Sequence, residues 1–333
     1  MEIASLETPL EEITPQKSYK GPSPTIGVAS VMATQRKMAK ITIIVPTIGA
    51  LLAVLYGFYF GITVVEISLL VGMYILCNLG IEFCFHRDLA HRSYKTHSYI
   101  TYMFGVLGSM AAQGNLLYWV ATHRRHHIHS DTEHDPHSPH MRNISKQAEN
   151  MGTLQGLWHA HVSWMVNDKM TNCTLFAKDI NRDPGLSWIT RNYIPIVVAG
   201  LILPGIVGGL VMGSLQGFIG GVLWGGFLRM SLGHHSTWFN SSFAHKYGAR
   251  PFETGDKSCN NKWVAIPTFG AGLQNNHHAF PTSAYLGYKW WEIDIAGYFI
   301  RLMKRIGLVW EVRFPSEDQK RRKLVGAGET AAA

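Results

Sequence analysis

The sequence predicts an all-α fold: four transmembrane helices in two hairpins, with a helical cytoplasmic cap holding a histidine-ligated di-metal site. Three observations carry this. Charged residues make up 16% of the 333 and hydrophobic ones 47%, whereas soluble domains are roughly 25% charged. Two long stretches are almost bare of charge. Seventeen histidines avoid those stretches and cluster just beyond them.

Residues 1–35 read as a polar, mostly disordered tail. Glu2, Glu7, Glu11 and Glu12, with no early apolar run, argue against a cleavable signal peptide. The membrane domain covers 36–315, and 316–333 form a second polar tail. No charge lies between Lys40 and Glu66, or between Glu66 and Glu82. A helix crosses the hydrocarbon layer with about 20 mainly apolar residues, so this stretch holds spans at 41–60 and 63–81 around a turn at Gly61. Glu66 sits near that turn and is expected to reach the outer interface. The uncharged stretch between Arg191 and Arg229 gives two more spans, 192–212 and 214–231, broken near Gly213-Ser214; membrane helices tolerate Pro195, Pro204 and the many glycines.

Residues 98–116 are apolar too, but a fifth span would split the histidines between opposite sides. An interfacial or partly buried helix is expected instead. Trp290 to Val312 reads as an amphipathic helix. The tail, 82–191 and 230–333 then share one side and hold essentially all Lys and Arg, which makes that side cytoplasmic. The formal charge of +8 suits an anionic leaflet. No basic run interleaved with aromatics suggests nucleic acid. Cys77, Cys84, Cys173 and Cys259 form no Cys-x-x-Cys pair, so neither a disulfide framework nor a thiolate zinc site is indicated.

Imidazole is the commonest nitrogen ligand for borderline transition metals. His123, His126 and His127 are spaced i, i+3, i+4 and project from one helix face. His277 and His278 repeat the final pair. His86 and His91 are five apart, roughly 140° around a regular helix, so two metals, or a helix ending between them, are needed to reconcile them. His245 follows the last span at the same depth.

His86-x4-His91, His123-x2-His126-His127 and Gln274-Asn-Asn-His277-His278-Ala-Phe-Pro281 resemble the histidine boxes of the integral-membrane fatty acid desaturases. They are most similar to the stearoyl/acyl-CoA and cyanobacterial acyl-lipid Δ9 types. The likeness covers roughly residues 40–315 and includes Asp131-Thr-Glu-His-Asp-Pro-His-Ser-Pro139 and Trp290-Trp-Glu-Ile-Asp294. It implies two non-haem irons held by His86, His91, His123, His126, His127, His245, His277 and His278. It also implies dioxygen as co-substrate, a fatty acyl substrate and an external electron donor of the ferredoxin or cytochrome b5 kind. Two positions depart from the family pattern. Gln274 stands where the third box usually opens with His, and Ser241, with Asn240 one place earlier, stands where the family has an Asn that holds a metal-bound water. Gln274 can bind through its carbonyl or through water, and a local bulge can restore Asn240. Asp88, Asp131, Glu133 and Asp135 lie near the boxes and can orient ring N–H groups.

Breaking an unactivated methylene C–H bond needs an oxidant no side chain supplies, hence metal-activated dioxygen. Zinc, with no redox cycle, does not serve. The expected product is a cis double bond, with hydroxylation or acetylenic bond formation as the alternative outcome of the same site. A zinc transporter would place ionisable ligands inside the spans at mid-membrane, where these spans are bare of them. An inactive acyl-binding relative is the remaining reading, opened by Gln274 and Ser241.

Overall fold

The structure is a computed structural model that describes residues 22–326 apart from 145, 146 and 168. The expected disorder of residues 1–21, and the last residues of the C-terminal tail, lie outside the described residues. The fold is mostly helical, as expected, with three short antiparallel strand pairs: Thr25–Ile26 with Met170–Thr171, Lys95–Thr96 with Val309–Trp310, and Met141–Ile144 with Gln147–Asn150.

Helix α1 spans Ala29–Phe60. Residues 29–35, read from sequence as the end of the tail, are its first two turns. Helix α2 runs Val64–Ala90 and turns from α to π geometry at Gly80. Thr63 caps it, and Glu66 closes a capping box. Glu66 therefore does not reach the interface as expected. It is buried, and its carboxylate accepts from the Thr63 N–H at 2.9 Å and the Tyr56 hydroxyl at 3.2 Å. Spending the charge on its own helix end makes a carboxylate tolerable in an apolar layer.

Helix α3, Ser98–Met110, has 13 residues, too few to cross a bilayer. Its Ile100 and Phe104 join Phe83, Phe85 and Ile300 in the main core. Helix α4 is Leu116–His129. Helices α5, Tyr193–Met212, and α6, residues 215–242, form a hairpin closed by Gly213 at φ 60°. Their backbones touch: a Cβ on Gly208 would lie 2.3 Å from the Gly217 carbonyl oxygen, the close approach that small residues allow between membrane helices. Arg229, buried at the inner end, donates to the Gly200 carbonyl at 3.0 Å and the Met110 carbonyl at 2.8 Å. Pro204, four residues after Gly200, has no N–H to give that carbonyl, and Met110 ends α3, so the guanidinium satisfies two otherwise orphaned acceptors.

α1, α2 and α5 are long and apolar enough to cross a membrane. Their outward faces expose Ile44, Leu51, Leu55, Val71 and Leu210, a surface that hydrocarbon solvates well. The fourth expected span, 214–231, is the first part of α6, where Gly217, Gly220, Gly221, Gly225 and Gly226 dilute the hydropathy. Several short helices complete the cap, and two of them bear on the site. α7, Gln274–Ala279, carries the third box; α8, Ile295–Arg305, packs on the π segment of α2. The amphipathic helix expected over 290–312 is only this α8, because Asp294 caps its start and Val309–Trp310 is strand. The C-terminal tail is polar but not idle: residues Glu317–Lys323 form a helix, and Lys323 donates to the Ala279 carbonyl at 2.6 Å.

Candidate metal centre

The π geometry of residues 80–90 decides how the first box works. The His91 N–H donates to the His86 carbonyl at 3.1 Å, a bond between residues five apart. Such turns return position i+5 to nearly the face of position i. The 140° separation expected for a regular helix therefore does not apply, and the two rings lie 5.0 Å apart in one group. Two metals are not needed to reconcile them. Arg87, between them in sequence, turns inward to Asp294 with a buried bidentate pair at 3.0 and 2.6 Å.

The second box lies on α4, whose cap is the Asn115 side chain accepting from the Tyr118 N–H at 2.9 Å. Its arginines are fasteners. Arg124 donates to the carbonyls of Leu89 at 2.6 Å and Ala90 at 3.2 Å and pairs with Asp179, tying α4 to the end of α2. Arg125 donates to the His134 carbonyl at 2.9 Å. The third box is six helical residues and depends on buried amides. Asn275 exchanges two bonds with the Phe252 backbone at 2.9 and 3.0 Å. Asn276 donates to the Leu286 carbonyl at 2.7 Å and to Glu292 at 2.9 Å.

All eight expected imidazoles meet in two adjoining groups. In the first, ring nitrogens of His86, His91, His123 and His277 lie within 4.8 Å of one another. His127 joins them, its Nε2 2.8 Å from that of His277 and 3.1 Å from that of His123. His86 meets His277 at 3.0 Å and His91 meets His123 at 2.8 Å, Nε2 to Nε2. One N–H cannot serve two such neighbours, so some lone pairs in this ring of five stand opposed unless a cation sits among them. The second group is His126, His245 and His278. Here His126 and His278 both give their Nδ1–H to carboxylates, so two bare Nε2 atoms face each other at 3.3 Å. The Nε2 of His245 is buried without a partner. This donor set fits metal ions better than it fits itself.

Carboxylates stand behind the rings. Glu82 accepts from His86 Nδ1 at 2.7 Å, Asp135 from His126 at 3.0 Å, Asp131 from His245 at 3.4 Å, and Asp256 from His278. Burial raises the Asp131 carboxyl, and the His245 imidazole beside it reverses this, bringing it down to about 2. Asp256 is lowered further, against its burial, by its bond to His278. Burial lowers His278 to about 4 despite Asp256, with His245 and His126 adding to the effect, and burial likewise holds His123, His127 and His277 well below the usual imidazole value. That leaves these rings neutral at neutral pH, the form in which imidazole can bind a metal. Asp131 and Asp135 orient rings as expected, but Asp88 accepts from Thr101 and Glu133 lies only by His134. Glu82 and Asp256 were not anticipated. Glu82 was legible as the charge one turn before His86; Asp256 lies in a loop, far in sequence from any box, with no periodic signal.

A cavity of about 110 Å³ borders both groups. Gln274, Asn240 and Ser241 all line it, and Gln274 Oε1 and Asn240 Oδ1 are buried without partners. Asn240 and Ser241 therefore both border the site, and the Asn240 carbonyl is the one left buried without a partner. Trp119, Trp164, Trp238 and Met165 line it too, and an apolar extension of about 330 Å³ shares Thr42, Gln113, Tyr118 and Met165 with it. Of the other histidines, His137 lies against His126 with centroids 4.4 Å apart and the rings tilted by 32°, and His140 donates to the His245 carbonyl at 2.7 Å. His97, His161, His234 and His235 engage partners elsewhere.

The family model "Fatty acid desaturase" matches residues 60–301. The chain belongs to the fatty acid desaturase family. The desaturase is 43% identical over 302 residues to a hex-5-enoyl-[acyl-carrier protein] acetylenase of Moorena producens (strain JHB), covering 91% of this chain and 93% of that one. It is 35% identical to an sn-1 stearoyl-lipid 9-desaturase of Anabaena variabilis (82% and 92%) and 34% identical to Delta-9 acyl-lipid desaturase 1 of Arabidopsis thaliana (81% and 82%). It is therefore an oxidoreductase of lipid metabolism associated with membrane. In this desaturase, Asp256→Asn keeps the shape but weakens the hold on His278. We expect metal affinity to fall by about 10–100-fold, read by chelator competition on the purified protein, with folding unchanged by circular dichroism.

Proposed function

We propose that this chain is a multi-pass di-iron desaturase that crosses the bilayer four times as two hairpins and opens its site to the cytoplasm. His86, His91, His123, His127 and His277 would hold one iron; His126, His245 and His278 would hold the other. The single observation that carries this is the convergence of eight imidazoles in two adjoining groups, with four buried carboxylates behind them, beside a cavity that shares its lining with an apolar pocket. When bound, the irons supply the oxidising power drawn from dioxygen that no side chain has. The reaction balances as one –CH2–CH2– segment, O2, two electrons and two protons giving –CH=CH– and two waters.

The chain's own residues do the rest. The apolar extension seats the acyl chain, and Trp119 and Trp238 wall the cavity so that water is excluded and one carbon pair is held beside the site. Gln274 and Asn240 offer unpartnered carbonyl oxygens at the cavity, where a ligand or an ordered water would complete the second group's set of only three imidazoles. Glu82, Asp131, Asp135 and Asp256 fix the rings and keep Nε2 facing inward. Electrons come from an acidic ferredoxin or cytochrome b5 type of partner, and the basic cytoplasmic surface steers it.

One observation favours a second reading, alkyne formation. The acetylenase matches at 43% over nearly the whole chain, the desaturases at 34–36%. Defined acyl chains, saturated and monoenoic, fed to a desaturase-deficient host expressing the chain decide between them. A saturated substrate returning a monoene supports the first reading; only a monoene returning an alkyne supports the second. No product lighter by two hydrogens from either substrate contradicts both.

A further inference from the structure

Away from the cavity, the described surface carries two grooves joined at Phe314. One, of about 440 Å³, is lined by Arg313, Arg322 and Lys323; the other, of about 460 Å³, by Arg301, Lys304 and Arg305. No Asp or Glu lines either groove. Arg313, Arg322 and Lys323 are exposed, as is Phe314 at 61%. The first groove reaches Ala279, the residue after His278, and there Lys323 bonds the Ala279 carbonyl. Neither groove shares a lining residue with the acyl cavity or its extension.

That separation selects the partner. A protein bringing an acyl chain needs an opening into the cavity, and none starts here. An electron needs only a short path of packed atoms, which His278, Ala279 and Phe280 provide. We propose that this basic, Phe-centred groove docks the acidic one-electron carrier protein that reduces the enzyme. Each docked carrier gives up one electron and leaves oxidised, so two successive carriers provide the two electrons the reaction consumes. The proposal rests on the desaturase reading above and locates its electron input.

The test uses the full chain in lipid nanodiscs, with Arg313→Glu/Arg322→Glu as the variant, Arg301→Glu/Lys304→Glu as a second in case the first misfolds, and Arg182→Glu as a charge-matched control. Binding of an oxidised acidic [2Fe–2S] ferredoxin and of a cytochrome b5 haem domain is measured at low and high salt, with no turnover required. Turnover is then compared between carrier and reduced methyl viologen. We expect carrier affinity to fall about 10-fold or more, its salt dependence to flatten, and viologen-driven turnover and the Arg182→Glu control to stay unchanged. Unchanged carrier affinity and salt dependence in both variants would overturn the proposal, as would loss of binding to an acyl carrier protein with the electron carriers unaffected. If the unsubstituted chain makes no product with either reductant, the desaturase reading has failed, while the binding comparison still reports on the groove.

Discussion

His277→Ala leaves a folded protein without desaturation. His277 is the hub of the first group: its Nε2 lies 3.0 Å from that of His86 and 2.8 Å from that of His127. Its removal takes away one donor and also the third box's only ring in that group. The loss of metal affinity should exceed the roughly 10–100-fold that removing an orienting partner costs. Product formation should fall to background, and metal content by about one ion per chain. The box itself should survive, because Asn275 and Asn276, not His277, bond it to Phe252, Leu286 and Glu292. Metal analysis and product chromatography on the same preparation check both halves. Retained metal with lost activity would assign His277 a different role.

The second large effect is on stability. Arg87 and Asp294 are both almost fully buried, and their bidentate pair joins the π segment of α2 to the cap of α8. Asp294 also accepts from the Leu286 and Gly297 N–H groups at 2.7 and 2.9 Å, so it fixes the floor under the third box. Removing one partner strands a buried charge, a change that costs about 3–5 kcal/mol. Arg87→Met should therefore lower the melting temperature sharply and release metal as the two boxes separate. Arg87→Met/Asp294→Leu, which strands no charge, should recover part of the loss. Thermal unfolding in detergent followed by tryptophan fluorescence reads this directly; equal destabilisation by the single and double variants would show that the pair's charge is not the cause.

The site was more legible in the sequence than its supports were. Histidine is rare enough, and the uncharged runs long enough, that the three clusters holding seven of the rings stood out from composition and spacing, while His245 joined them on the resemblance to the histidine-box family. The π turn at 80–90 did not, because no residue pattern distinguishes it from an α turn; the packing of Gly80 against Gly108 and the bond from His91 to His86 emerge only in three dimensions. Glu66 was misplaced although the signal was present: Thr63-x-x-Glu66 is a capping box, and a helix end uses such a carboxylate locally. The anchoring roles of Arg87, Arg124, Asn275 and Asn276 were invisible because their partners lie far along the chain.

We propose, at the centre of all this, that imidazoles from four distant segments surround a pair of irons. The most direct measurement is iron quantification with Mössbauer and X-ray absorption spectra on full-length chain loaded with ⁵⁷Fe in the absence of other metals. The account predicts two irons per chain, in two distinguishable sites dominated by imidazole scattering, the one with fewer imidazoles changing when Gln274 becomes His. A chain that turns over acyl substrate while holding a single iron, or irons without imidazole neighbours, would contradict it.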